Sequence, residues 1–231
     1  MEESIQFGSH TISFYLTFSE RKTLGITVRP DYTVWVKAPM DADLAKIKTK
    51  VRKKAPWILK QQSFFLSFHP KQTVKKYVSG ETFLYLGTQY FLLVKIANTP
   101  LVRRAGKELI VYAKTKEAAK HVLKKWYIAQ AHIVFRKVAA PIIEDFKKYG
   151  VEPSQLVLRD MPTRWGSCTP RGKIILNPEL VKAPKGCIEY VITHELCHLV
   201  YHDHTTNFYD LQSKHMPTWE KWKMRLERLL A

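Results

Sequence analysis

Tyr190-Val191-Ile192-Thr193-His194-Glu195-Leu196-Cys197-His198-Leu199-Val200 is the stretch on which the reading of this chain turns. An apolar run leads into two histidines four residues apart. On a helix such residues sit one above the other, about 6 Å apart along the axis, so two imidazoles can converge on one ion. Glu195 directly follows the first histidine and projects beside that position, where a carboxylate can take a proton from metal-bound water rather than ligate. The spacing therefore predicts a divalent-metal site, with His194 and His198 as ligands and Glu195 as the base, on a helix over 186–202. Nine histidines and thirteen glutamates in 231 residues make about 0.02 chance occurrences of this pattern, so ordinary hydrogen-bonded histidines are the weaker explanation.

A catalytic zinc usually takes three protein ligands and leaves one position open. His202 lies on nearly the same helical face as His194, but eight residues carry it about 12 Å along the axis, too far for one ion if the helix continues. His204 points away on a continuing helix, yet reaches the metal if the helix ends near 201–203 and the chain turns back. His204 is the favoured third ligand, with His202 in a supporting or surface position. Glu220 and Asp210 are the fallback if a later helix supplies a carboxylate.

Working outward, 231 residues at 27.0 kDa suffice for one large domain or two small ones with a real core. An apolar fraction of 45% and a charged fraction of 25% exclude a disordered or fibrous chain. No run of eighteen apolar residues is present and the first residues carry two acids, which predicts a cytoplasmic protein without a membrane anchor. Cys168, Cys187 and Cys197 form no CxxC pair and read as reduced thiols.

Lys and Arg number 38 against 20 Asp and Glu, a net charge of +18. Ten basic residues and no acid fall between Asp43 and Glu81. That surplus suits either a polyanion partner, nucleotide or nucleic acid, or a solvated lysine-rich face.

Alternating runs predict strands at 12–18, 24–30, 33–39 and 83–96, with hairpin turns at Pro30-Asp31 and Gly87-Thr88. A helical segment over 41–68 has Pro56 in a first turn after a break, and Trp57, Ile58 and Phe64 on its buried face. Helix formers dominate 115–149, with Val122, Trp126, Ala129, Ile133 and Val138 near a 3.6 period until Pro141 interrupts or kinks it and Gly150 ends it. Short strands at 156–160 and 173–177 flank a turn-rich connection, and a last helix covers 218–230. No internal repeat is visible. The expected fold is α+β: a β-rich N-terminal domain, 1–114, with a basic helical insert, and a helical domain, 115–231, carrying the active-site helix.

Arg164-Trp165-Gly166-Ser167-Cys168, then Ile174-Ile175-Leu176-Asn177-Pro178 with Leu180, then the 190–211 stretch around HELCH, together resemble the YgjP-like metallopeptidase family, related through HExxH to the zincins. Weaker likeness extends through Val36-Lys37-Ala38-Pro39, Trp57-Ile58 and Gly80-Glu81 to Tyr85-Leu86-Gly87. The resemblance implies a zincin-like C-terminal half, one zinc per chain at His194, His198 and His204, and Glu195 as catalytic base. Where the family usually has Asn-His-Ser and Phe-Trp, this chain has Asp203-His204-Thr205 and Phe208-Tyr209.

Arg164 is a candidate for holding a substrate carbonyl or a developing oxyanion, or else for anchoring its loop to a carboxylate. Trp165 suits a pocket wall or the core. The leading expectation is a zinc hydrolase acting on peptide or protein. Two alternatives use the same residues: a nucleotide pyrophosphohydrolase, although no GxxxxGK[ST] loop is present, and a nucleic-acid-associated binding module.

Overall fold

A computed structural model of the chain describes residues 1–8, 10–29, 32–66, 75–162 and 164–230. The chain divides into two compact units, Met1–Thr73 and Val74–Leu230.

In the first unit β1 (Glu2–Phe7), β2 (His10–Ser19), β3 (Gly25–Val28) and β4 (Val34–Pro39) form a sheet of order β1-β2-β4-β3. β2 pairs antiparallel with β1 and parallel with β4, and β3 runs antiparallel to β4. Period-two alternation sends Ile12, Phe14 and Leu16 of β2, and Val34, Val36 and Ala38 of β4, to one buried face. Helices α1 (Leu44–Lys53) and α2 (Ala55–Leu66) supply the rest of that core through Ile47, Val51, Ala55 and Ile58, a stripe at helical spacing. Asp43 starts α1 by accepting a hydrogen bond from the Lys46 amide. The break before Pro56 falls where expected, between α1 and α2. Trp57 does not face the core: it lies one residue off the 47-51-55-58 stripe and is 41% exposed. The side chain of Phe64 and the turn residues Pro30 and Asp31 lie outside the described residues.

The second unit opens with β5 (Thr82–Tyr85), β6 (Thr88–Ile96), β7 (Leu101–Ala105) and β8 (Glu108–Ala113), ordered β5-β6-β8-β7. The expected hairpin forms between β5 and β6, with Leu86 and Gly87 both at positive φ, as a two-residue turn requires. β6 pairs parallel with β8, and β7 antiparallel with β8. Strand order and direction thus repeat those of the first sheet, a repetition of topology that no sequence period announces.

Helix α3 (Ala118–Phe146) runs through Pro141 without ending there, and Gly150 terminates the following short turn in the left-handed region. Its buried face is Leu123, Tyr127, Ala131, Phe135 and Val138: of the expected stripe Val138 is buried, Val122 and Trp126 flank that face half-buried, and Ala129 and Ile133 are exposed. That face shares one core with Leu92, Leu109 and Val111 of the sheet and with Ile188, Ile192 and Leu196 of a later helix. The Tyr127 hydroxyl donates to the Leu84 carbonyl at 2.7 Å, and the Leu86 and Gly87 amides donate to the carbonyls of Val181 and Lys182. These contacts hold β5–β8 in the same compact unit as the helices.

A third sheet, β10-β11-β9, joins β9 (Gln155–Leu158) parallel to β11 (Lys173–Leu176) and β11 antiparallel to β10 (Gly166–Cys168). Three helices complete the α+β fold: α4 (Lys185–Val200), α5 (Thr206–His215) and α6 (Trp219–Leu230). No helix among the described residues is long and apolar enough to cross a membrane.

Candidate metal centre

His194, Glu195 and His198 occupy the last two turns of α4, whose buried residues Ile188, Val191, Ile192 and Leu196 lock its orientation in the core. The helix ends at Val200. Tyr201 leaves it in an extended conformation, the Thr205 amide donates to the Asp203 carbonyl at 2.8 Å, and α5 then begins. This reversal returns His204 to the helix it has just left. One ring nitrogen from each of His194, His198 and His204 lies within 4.8 Å of the others, a group that could hold an ion, and Nε2 of His204 is 3.1 Å from Nε2 of His194. His202 remains exposed outside the cluster, but its backbone carbonyl supports His198. Asp210 and Glu220, the fallback carboxylates, are exposed and take no part in it.

The hydrogen bonds behind the rings decide which nitrogen each imidazole offers. Nδ1 of His194 is 2.8 Å from Oε1 of Gln212. Nδ1 of His198 is 3.1 Å from the His202 carbonyl and 3.3 Å from that of Tyr201. Carbonyl oxygens only accept, so both Nδ1 atoms carry the proton and both Nε2 atoms turn a lone pair to the centre. Phe208, fully buried, lies beneath, with its ring 4.7 to 5.0 Å from all three imidazoles. Burial, with smaller contributions from the neighbouring histidines, lowers the pKa of His194 to about 4, against the opposing bond from Gln212. His198 is lowered too, by burial first and then by His204.

Neutral imidazoles are the form a metal requires. With the His194 lone pair turned inward, Nε2 of His204 can donate to it at 3.1 Å in the absence of an ion, and loses that proton to ligate one. A tetrahedral ion bound at about 2.0–2.1 Å sets its nitrogens about 3.4 Å apart, so the donor set fits a divalent cation.

Glu195 is 6% exposed. Burial raises its pKa to about 7, while the Arg164 charge and the Cys168 amide, which donates to it, pull the other way. Its carboxyl lies against β10 because Gly166 has no side chain: a Cβ there would sit 2.5 Å from Oε1 of Glu195 and 2.8 Å from Val191. Arg164, Ser167, Cys168, Glu195 and the three imidazoles line a cleft of about 530 Å³. Trp165 packs against the core instead. Asn177, 4% exposed, holds the loop before β10 by donating from Nδ2 to the carbonyls of Met161 and Arg164, and its own amide donates to the Trp165 carbonyl.

Burial raises the thiols of Cys168 and Cys187 to about 11 and that of Cys197 to about 12, and none of the three belongs to the histidine cluster. Gln212 had no sequence signal beyond a polar residue within the apolar face Phe208–Leu211–Gln212 of α5. It is fully buried, and among the described residues its Nε2 has no partner.

No curated protein and no solved structure matches the chain. The family model of the YgjP-like metallopeptidase domain matches residues 22–229, a span that takes in the β10 loop, the α4 histidines and His204, and on that match the chain belongs to the YgjP-like metallopeptidase family.

Proposed function

We propose that this chain is a zinc-dependent peptidase of the cytoplasm, with His194, His198 and His204 holding the ion and Glu195 moving the protons. The observation that carries the reading is the convergence of three imidazoles beside one buried carboxyl. A bound zinc ion supplies a Lewis acid that polarises a carbonyl oxygen and makes water a stronger acid.

Glu195 works from a pKa near neutrality, so its carboxylate can take a proton from water and return it to the departing amine nitrogen. The Cys168 amide and the space over Gly166 fix where that carboxylate points. Arg164 stands in the same cleft as a fixed cation, suited to an oxygen that gains negative charge. β10 is an edge strand, paired on one side by β11, and apart from the Cys168 amide that Glu195 takes, its other side is open to an extended peptide by strand addition. That mode reads backbone rather than side chains, which supports a polypeptide as substrate.

The test is zinc-loaded protein incubated with a peptide library and, separately, with nucleoside triphosphates. Cleaved peptides that disappear with Glu195→Gln support the proposal. Pyrophosphate release without peptide cleavage would replace it with the nucleotide reading.

A further inference from the structure

The first unit carries a groove unrelated to the histidine centre. Leu24, just before β3, and Ile26 within it line the groove with apolar surface, Lys50, Lys53 and Lys54 stand along α1 and its end, and Trp57 of α2 also lines it, around a volume of about 510 Å³. All three lysines and Trp57 are exposed. Among the described residues none of the three lysines is ion-paired, and the unit's own salt bridge joins Lys48 to Glu3 elsewhere. Lys46 continues the line one turn earlier into an adjoining hollow with Arg21 and Lys22, where Asp41 and Asp43 end the run of positive charge.

Two ordinary explanations fall short. Lysines near a helix C-terminus complement its partial negative charge, which accounts for their placement at the end of α1. It does not account for a tryptophan left 41% exposed in the same groove, when the buried stripe of the same helix pair passes one residue away. Solubility alone calls for scattered charges of both signs, and this groove is lined by one sign.

We propose that this groove binds single-stranded nucleic acid, with phosphates on Lys50, Lys53 and Lys54 and a base stacked on Trp57. Ammonium groups along a groove track a phosphate backbone, and an indole face takes any base without sequence preference. An inorganic polyphosphate would use the lysines and ignore the indole. An anionic membrane would need a convex face rather than a groove. DNA and RNA single strands share the phosphates and base faces invoked here, so both are used as probes. The inference does not depend on the peptidase reading, because the assay scores binding alone.

Fluorescence anisotropy of labelled (dT)20 and (rU)20 with the full chain is the experiment. Expected is binding at 50 mM salt whose log affinity falls with log salt at a slope of about −2 or steeper, three lysines at about −0.7 each. Lys50→Glu/Lys53→Glu/Lys54→Glu should weaken binding at least thirtyfold, and Lys107→Glu/Arg136→Glu/Lys137→Glu, the same charge change on exposed positions of the second unit, less than threefold. Trp57→Ala should weaken it about tenfold at an unchanged salt slope, and Trp57→Phe should recover most of that. Every substituted position is exposed, so folding is retained and circular dichroism confirms it. Absence of binding at 50 mM salt, equal losses for the two charge reversals, or a neutral Trp57→Ala would each overturn the proposal.

Discussion

The two four-stranded sheets have the same strand order and the same succession of antiparallel, parallel and antiparallel neighbours, yet they lead to different chemistry. In the first unit the covering helices are short, Ile47, Val51, Ala55 and Ile58 make one buried stripe across α1 and the start of α2, and Lys50, Lys53 and Lys54 stay exposed. In the second unit the cover is α3, 29 residues long, and its buried face continues from the sheet to α4. The difference teaches that the sheet is a platform and the helix laid on it decides the outcome. A long helix whose buried face runs from one end to the other organises further elements behind it, whereas a short one with a brief apolar stripe leaves a charged surface.

If chemistry belongs to the second unit alone, the largest effect comes from Glu195. Glu195→Gln should lower peptide hydrolysis about 10²–10⁴-fold, the usual worth of a general base, at unchanged metal content and melting temperature. Loss of metal in that variant would make Glu195 a ligand. Next come paired core truncations. Phe14→Ala and Phe135→Ala should each cost about 3–5 kcal/mol, but zinc at a hundredfold excess over its Kd should restore about 2.7 kcal/mol only to the unit that binds it. Denaturant unfolding with and without zinc reads this directly, and zinc protection of the first unit would break the comparison.

How much of this was legible follows from the range of each interaction. The α4 histidines were readable because four-residue spacing is local and helical. The role of His204 depended on where α4 stops, which the sequence marks only conditionally; Tyr201 leaving the helix removes the condition. β7 and β8 were missed because Arg103, Arg104, Lys107 and Glu108 interrupt the apolar run, although they lie on exposed positions flanking the Gly106 turn. On α3 only Val138 of the expected stripe is buried, since Val122, Trp126 and Ile133 are as apolar as the true face, which includes the small Ala131. Gln212 and Asn177 act across 18 and 13 to 16 residues of chain. No local pattern distinguishes them from solvated amides.

Smaller effects test the supports of the centre. Gln212→Leu removes the acceptor that fixes His194, and metal affinity should fall about 10–100-fold, while Gln212→Glu, which keeps an acceptor, should hold or raise it. Chelator competition measures both, and an unchanged affinity in Gln212→Leu would leave the His194 bond without influence on the ion. Gly166→Ala places a methyl against the Glu195 carboxyl and should reduce turnover by roughly tenfold, the scale of a small misplacement of a reacting group, with zinc affinity intact. Equal activity would show that Glu195 tolerates being moved.

The central claim is that the turn after Val200 brings His204, and not His202, to the ion. Zinc affinity of His204→Ala and His202→Ala, measured side by side against a chromogenic chelator, tests it most directly, because the same group is removed two positions apart. The account predicts a loss of at least a hundredfold for His204→Ala and a change below threefold for His202→Ala. Equal affinities, or a greater loss for His202→Ala, would contradict it.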